Sequence, residues 1–230
     1  MAPFLENTRG VVLDAVGTLI EPNPGVGEVY RAAAERQSVT LAESLIQERF
    51  RHVFRMEFGP DSGGYETSER EERSRWLRII AATLPELPDQ PRAFAELWEH
   101  FSRASSWRLY PDVEPAWRSI KARGWRLGVG SNFDSRLRAI LGSFSVTKEL
   151  DALLISSEVG WRKPHPEFYR SVSRALELEP REIVWIGDSP AHDLIGPREA
   201  GFQAILLDRT VRYPSFSPRI GTLGEVGSPG

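Results

Sequence analysis

The first apolar stretch of the chain, Gly10-Val11-Val12-Leu13, runs unbroken into an acid, Asp14. A strand with one wet face alternates polar and apolar residues. A run this uniform belongs to a strand covered on both faces, as in parallel sheets. Similar runs recur at 127–130, 152–155, 183–186 and 204–207. Helix-like segments at 112–123, after Phe133, at 166–176 and at 194–200 lie between them. Parallel strands need crossovers, and helices in those crossovers cover the sheet. The expected core is therefore α/β, an open parallel sheet with helices on both faces. At 230 residues the chain is long enough to bury such a core without disulfides or metal staples.

Residues 21–105 break that rhythm. Helices are expected at 26–36, 41–56, 66–83 and 93–102, with no convincing strand. In the second of these, Leu41, Leu45, Ile46, Phe50 and Val53 form an apolar stripe. Turn-rich segments at 59–64 and 85–89 separate the helices. The simplest organisation is a helical domain, 21–105, inserted after the first strand of a core made of 1–20 and 106–230. The last ten or so residues, rich in Gly, Ser and Pro, read as a weakly ordered tail.

Composition removes several function classes. There are 29 basic and 32 acidic side chains, a formal charge of −3, so nothing points to a nucleic-acid partner. There is no cysteine, which excludes disulfides, thiolate nucleophiles and cysteine-ligated zinc. Residues 1–9 carry no signal-peptide pattern, and the apolar runs are strand-sized rather than membrane-spanning. The expected location is the cytoplasm, with no membrane partner.

In open α/β sheets the active site forms at the carboxyl ends of the strands. Here three strands end in polar elements: Asp14 to Leu19, Ser131 to Asp134, and Gly187 to Asp193. Parallel pairing brings these ends together. Several carboxylates on one edge repel each other, and a divalent cation resolves the conflict. Oxygen ligands without cysteine favour magnesium over zinc. Lys163 adds a cation able to steady a negative nucleophile and to bind an anionic substrate.

These residues resemble the four motifs of haloacid dehalogenase-like hydrolases. Asp14-Ala15-Val16-Gly17-Thr18-Leu19 is similar to the first motif, and Ser131-Asn132 to the second. Lys163-Pro164 is similar to the third, and Gly187-Asp188-Ser189 with Asp193 to the fourth. Order and spacing fit, and the resemblance covers essentially the whole chain. It implies a Rossmann-like, three-layer core, with the helical insert as a C1-type cap. It also implies covalent catalysis by Asp14, with Thr18 and Ser131 holding the transferring group. Asn132 would orient Asp14 or a substrate oxygen, or cap its own loop. Lys163 would steady nucleophile and anion. Asp14, Asp188, Asp193 and the backbone carbonyl of Val16 would bind magnesium.

One position departs from the pattern. Phosphatases of this family carry a second Asp, the general acid and base, two residues after the nucleophile; here it is Val16. A positioned acid is worth about 10²–10⁴ in rate. Three readings follow. The leaving group needs no proton, as in an acyl phosphate or a halide; a cap residue such as His52 or Glu57, or a substrate group, supplies it; or the chain is a weak or inactive hydrolase that serves as a binding or regulatory protein. Dehalogenases of the family also lack this Asp, so a haloacid substrate is the alternative, with Arg31 or Arg36 as candidate halide ligands. They use no magnesium, however, and usually have Ser in place of Asp188. The favoured expectation is a magnesium-dependent phosphatase of a small phosphorylated metabolite, working through an aspartyl-phosphate, as a monomer or homodimer.

His165 is read as a loop residue and His192 as structural. Trp161 either lines the site's mouth or packs its loop against the cap. Arg70, Arg73, Arg75 and Arg78, alternating with Glu69, Glu71 and Glu72, read as a solvated helix face. Trp76, Leu77, Ile79 and Ile80 would pack inward. Segment 59–64 is either a mobile lid or an interhelical loop.

Overall fold

The computed structural model describes residues 7–59 and 63–227. The readings made on residues 1–6, 60–62 and 228–230 lie outside the described residues. The chain opens with β1 (Gly10–Leu13) and β2 (Ile20–Pro22). Helices α1 (Val26–Glu35), α2 (Glu43–Phe58), α3 (Glu69–Thr83) and α4 (Gln90–Ser102) follow, then β3 (Trp107–Leu109). The chain continues through α5 (Val113–Ala122), β4 (Arg126–Ser131), α6 (Arg136–Gly142), β5 (Ala152–Ile155), α7 (Ser156–Val159) and α8 (Pro166–Leu176). It closes with β6 (Ile183–Gly187), α9 (Gly196–Glu199), β7 (Gln203–Leu207), β8 (Arg219–Ile220) and α10 (Gly224–Gly227).

Six strands form one parallel sheet in the order β5-β4-β1-β6-β7-β8, so β1 is central. The pleat sends alternate side chains to opposite faces. Val11 and Leu13 pack with Trp117 and Ile120 of α5 and Leu137 and Ile140 of α6. Val12 packs on the other face with Phe168, Tyr169 and Val172 of α8. This is the three-layer α/β core expected from the uniform apolar runs. No helix among the described residues is long and apolar enough to cross a membrane.

The insert has an apolar core of its own. Val29, Tyr30 and Ala33 of α1 meet Ile46 of α2, Ile80 of α3 and Leu97 of α4. At its base β2 and β3 pair antiparallel, Ile20 opposite Leu109 and Pro22 opposite Trp107. The expectation of no strand in 21–105 is therefore corrected. A three-residue strand is too short to show a period, and β2 exists because the chain leaves and re-enters the core at one place.

Other details differ from the sequence reading. Helix α3 begins at Glu69 rather than 66, because Glu66 forms an isolated bridge with Trp161 and the Ser68 hydroxyl caps the helix at Glu71 N. Helix α4 begins at Gln90 rather than 93, capped by Asp89 through Arg92 N. The face of α3 read as solvated buries Glu72 and Arg75, while Leu77 is exposed. The 3.6-residue period puts positions 72, 75, 79, 80 and 83 on the packed side. Arg78 does pair at the surface, with Glu57 at 2.7 Å. The tail is ordered through α10: Leu223 and Val226 are buried. Asp112 accepts from Thr222 Oγ1 at 2.7 Å and from Leu223 N at 2.9 Å.

Candidate active site

Strand β1 delivers Asp14 to the carboxyl edge between the ends of β4 and β6. Leu13 sits opposite Val129 and Ile186, and Asp14 N still donates to Ile186 O at 2.9 Å. Asp14 is thus an extension of the sheet ladder, with little backbone freedom to move. Beyond β6 the chain makes a wide π-type turn, Pro190–Ile195, which returns Asp193 beneath the strand end. Asp193 Oδ2 accepts from Ser189 N at 3.0 Å, and Oδ1 accepts from Trp185 Nε1 at 3.0 Å. The Lys163 ammonium donates to Asp14 Oδ1 and to Asp193 Oδ1, each at 2.7 Å.

Two glycines make room for the acids. A Cβ on Gly187 would collide with the Asp193 carboxyl. Gly17 has φ +88°, which side chains rarely adopt, and a Cβ there would lie 2.6 Å from Asp188 Oδ2. Asp14, Asp188 and Asp193 each present a carboxylate oxygen within 4.8 Å of the other two.

The electrostatics of this cluster are unbalanced. Lys163 is 2% exposed, Asp193 1% and Asp14 7%. Burial pushes Asp14 up to about 7; Lys163 pulls against this, while Asp193 and Asp188 add to it. Burial and then the Asp193 charge push Asp188 up to about 6, against the pull of Arg212. Burial alone would lower Lys163, yet Asp14 and Asp193 outweigh it and hold the ammonium at about 12. Asp14 and Asp193 share one buried cation and Asp188 has only the exposed Arg212 beside it, so the cluster of carboxylate oxygens is short of positive charge. That chemistry fits a hard divalent cation.

The other predicted site residues fall into three groups. Ser131 ends β4, and its residue lines the cavity above the acids. The hydrogen bonds of the Asn132 side chain go to Lys163 rather than to Asp14. The amide clamps the backbone of Lys163, donating to Lys163 O at 3.0 Å and accepting from Lys163 N at 2.7 Å. Asn132 therefore positions the lysine. Thr18 is fully buried, is absent from the cavity wall, and its hydroxyl has no hydrogen-bond partner among the described residues. Its carbonyl accepts from Arg209 Nη2 at 2.9 Å, which braces the Asp14 loop. This placement does not serve a direct bond from Thr18 to a transferring group. Val16 does line the cavity.

The candidates for a substitute acid sort clearly. His52 is exposed and lies outside the cavity wall. Glu57 is tied to Arg78 by two hydrogen bonds, which hold its carboxyl below the usual range, and it also lies outside the wall. Arg31 pairs with Glu35 and Arg36 with Glu96, and neither reaches the cavity. His165 caps α8 and stacks on Trp161, with ring centroids 3.9 Å apart. Trp161 is a packing residue, and its loop bonds to the insert through Arg162 N to Tyr65 O at 2.9 Å. His192 lines the cavity, and burial lowers its imidazole to about 4.

Three features escaped the sequence reading. Arg212, 3.3 Å from Asp188, comes from the loop after β7, whose shape is set by Asp208 accepting from Arg212 N and Tyr213 N, each at 2.8 Å. Arg136 is held by both oxygens of buried Asp134 at 2.7 Å and lies 3.5 Å from the Trp98 ring centroid, joining core to insert. The cavity itself holds about 700 Å³ and reaches from the acids to the insert. There Phe50, Phe54, Phe58, Trp76, Trp98 and Phe101 contribute to its wall. The apolar stripe of α2 was visible, but the sequence does not say that part of it faces a cavity.

Known proteins resemble this chain in sequence and in fold. The chain is 28% identical over 204 residues to human haloacid dehalogenase-like hydrolase domain-containing protein 3, covering 86% of this chain and 81% of that protein. It is 32% identical over 174 residues to the phosphoserine phosphatase of Thermus thermophilus, covering 70% of each. In fold it matches the L-2-haloacid dehalogenase of Xanthobacter autotrophicus with chloropropionic acid covalently bound. That match has a TM-score of 0.70 at 19% identity, over 96% of this chain and 97% of that one. A sequence model of haloacid dehalogenase-like hydrolases matches residues 8–201, most of the chain, and this protein belongs to that family.

Proposed function

We propose that this protein is a magnesium-dependent phosphatase that works through a phosphorylated Asp14. The observation that carries the reading is the presence of Asp188 and Asp193 together beside Asp14, within 4.8 Å. Three clustered acids offer the oxygen ligands of a divalent cation, which the phosphatase reading uses and the dehalogenase reading does not. Asp14, Asp188, Asp193 and the Val16 carbonyl would hold the ion. When bound, magnesium supplies positive charge to the acids and to the phosphoryl oxygens.

The chain's own groups then have distinct tasks. Lys163 keeps Asp14 ionised and draws in the phosphoryl oxygens. Ser131 offers a hydroxyl to the same oxygens. An Asp14 oxygen forms a bond to phosphorus while the ester oxygen leaves with the bonding electron pair. Water next attacks phosphorus, the Asp14–phosphorus bond breaks, phosphate is released, and the water's proton passes to solvent. The insert acts as a cap, with its aromatic wall excluding bulk water from the acids. The reading is of a cytoplasmic enzyme, a monomer or a homodimer.

The test is phosphate release from phosphomonoesters and acyl phosphates, with and without magnesium, alongside halide release from 2-chloropropionate. Wild-type release that needs magnesium and drops by about 10³ or more in Asp14→Asn is expected. Halide release without phosphate release would replace this reading with dehalogenation.

A further inference from the structure

We propose that the substrate carries its phosphoryl group on a bulky apolar, aromatic body, and that the aromatic wall of the insert binds that body. Only the identity of the headgroup rests on the phosphatase reading. The acids occupy one end of a cavity of about 700 Å³, far more than a phosphoryl group or a two-carbon acid fills. At the other end Phe50, Phe54 and Trp76 form a contiguous surface. The Phe50 and Phe54 rings lie 5.6 Å apart, and the Trp76 centroid is 6.5 and 6.1 Å from them. Phe54 is 40% exposed, so this ring surface is open on one side.

Two charged groups of the cavity wall are already engaged. Arg136 is locked by Asp134, and Glu72 accepts from the Thr67 hydroxyl at 2.6 Å. Arg51 and Arg55 reach the wall only as exposed side chains of α2. A buried cation free to hold the second anionic group of an amino-acid or sugar-acid phosphate is therefore not provided by Arg136. Flat apolar rings suit a cavity wall that includes Phe54, Trp76 and Trp98, since aromatic pairs gain energy beyond their buried area. The chemistry at the acids agrees. Without an acid at Val16, an aryl oxide, which departs with the electron pair and takes its proton from bulk water, leaves more easily than an alkoxide.

The test uses the full chain and ligands that cannot be hydrolysed. Binding of methylphosphonate, phenylphosphonate and 2-naphthylmethylphosphonate is measured by calorimetry and tryptophan fluorescence in the presence of magnesium. We expect the naphthyl compound to bind at least about tenfold more tightly than the methyl one. Phe54→Ala, at an exposed position that does not endanger folding, should remove most of the naphthyl compound's advantage over methylphosphonate. Equal binding of all three phosphonates, or an advantage untouched by Phe54→Ala together with Trp76→Ala, overturns the inference. 2-Naphthylacetate separates the two proposals. If it binds as well as the naphthyl phosphonate, the aromatic pocket stands and the phosphoryl headgroup falls.

Discussion

The sheet edge and the insert face one cavity, yet different forces build them. At the edge, position is set by strand register and charge. Asp14 extends the β1 ladder, Lys163 is shared by two acids at 2.7 Å, and Asn132 pins the lysine backbone. At the insert, position is set by packing of rings on helices that have their own core. The first kind of construction tolerates almost no change, because each buried charge depends on its neighbours. The second tolerates change in small steps, because ring contacts are individually weak. On the proposed function, the chemistry belongs to the sheet edge and the choice of substrate to the insert.

Lys163→Met strikes the edge hardest. It leaves Asp14 and Asp193 buried without their cation, at a cost of about 3–5 kcal/mol. Urea unfolding should show that loss in the metal-free chain, with turnover lost as well. A change under 1 kcal/mol would mean that the acids are less enclosed than their burial indicates.

Val16→Asp tests whether the missing acid sets the substrate range. Phosphate release from alkyl phosphomonoesters should rise by about 10² or more, and release from 4-nitrophenyl phosphate much less. The ratio of kcat/KM for the two substrates is the readout. An unchanged ratio would place the proton donor elsewhere in the cavity.

The smallest effect concerns pH. Asp14 at about 7 and Asp188 at about 6 lie above the ordinary carboxylate value near 4. Between those values the folded, metal-free chain holds protons that the unfolded chain has lost. The stability from this pair is therefore fully present below about pH 4 and is lost as pH rises through 6 and 7. In EDTA the Tm should fall by about 3 °C or more between pH 5 and pH 8, and magnesium should flatten that slope. A slope equally steep in Asp188→Asn would remove Asp188 from the explanation.

Part of the site was legible because its signals are local. An apolar run ending in an acid marks β1 and Asp14, and Gly187-Asp188 follows β6 in the same way. The same signal also occurs at Asp208, after β7, where the acid only shapes a loop by accepting from Arg212 N, Tyr213 N and Arg219. A strand-end acid thus names a place on the edge but does not assign a task. Arg212, Arg136 and the Asn132 clamp were hidden because their partners are distant in sequence or are backbone atoms.

By itself the sequence determined the α/β core, the strand ends that carry Asp14, Ser131 and Asp188, and the absence of an acid at position 16. These follow from short-range rules, the period of apolar residues and the side-chain chemistry at each run's end. Only the tertiary structure decided that Lys163 lies between Asp14 and Asp193 and that Thr18 is buried away from the cavity. It alone turned Phe54 and Trp76 toward a cavity they share with the acids. Those facts depend on how separate segments meet in space, and a helical period marks an apolar face without saying whether protein or substrate covers it.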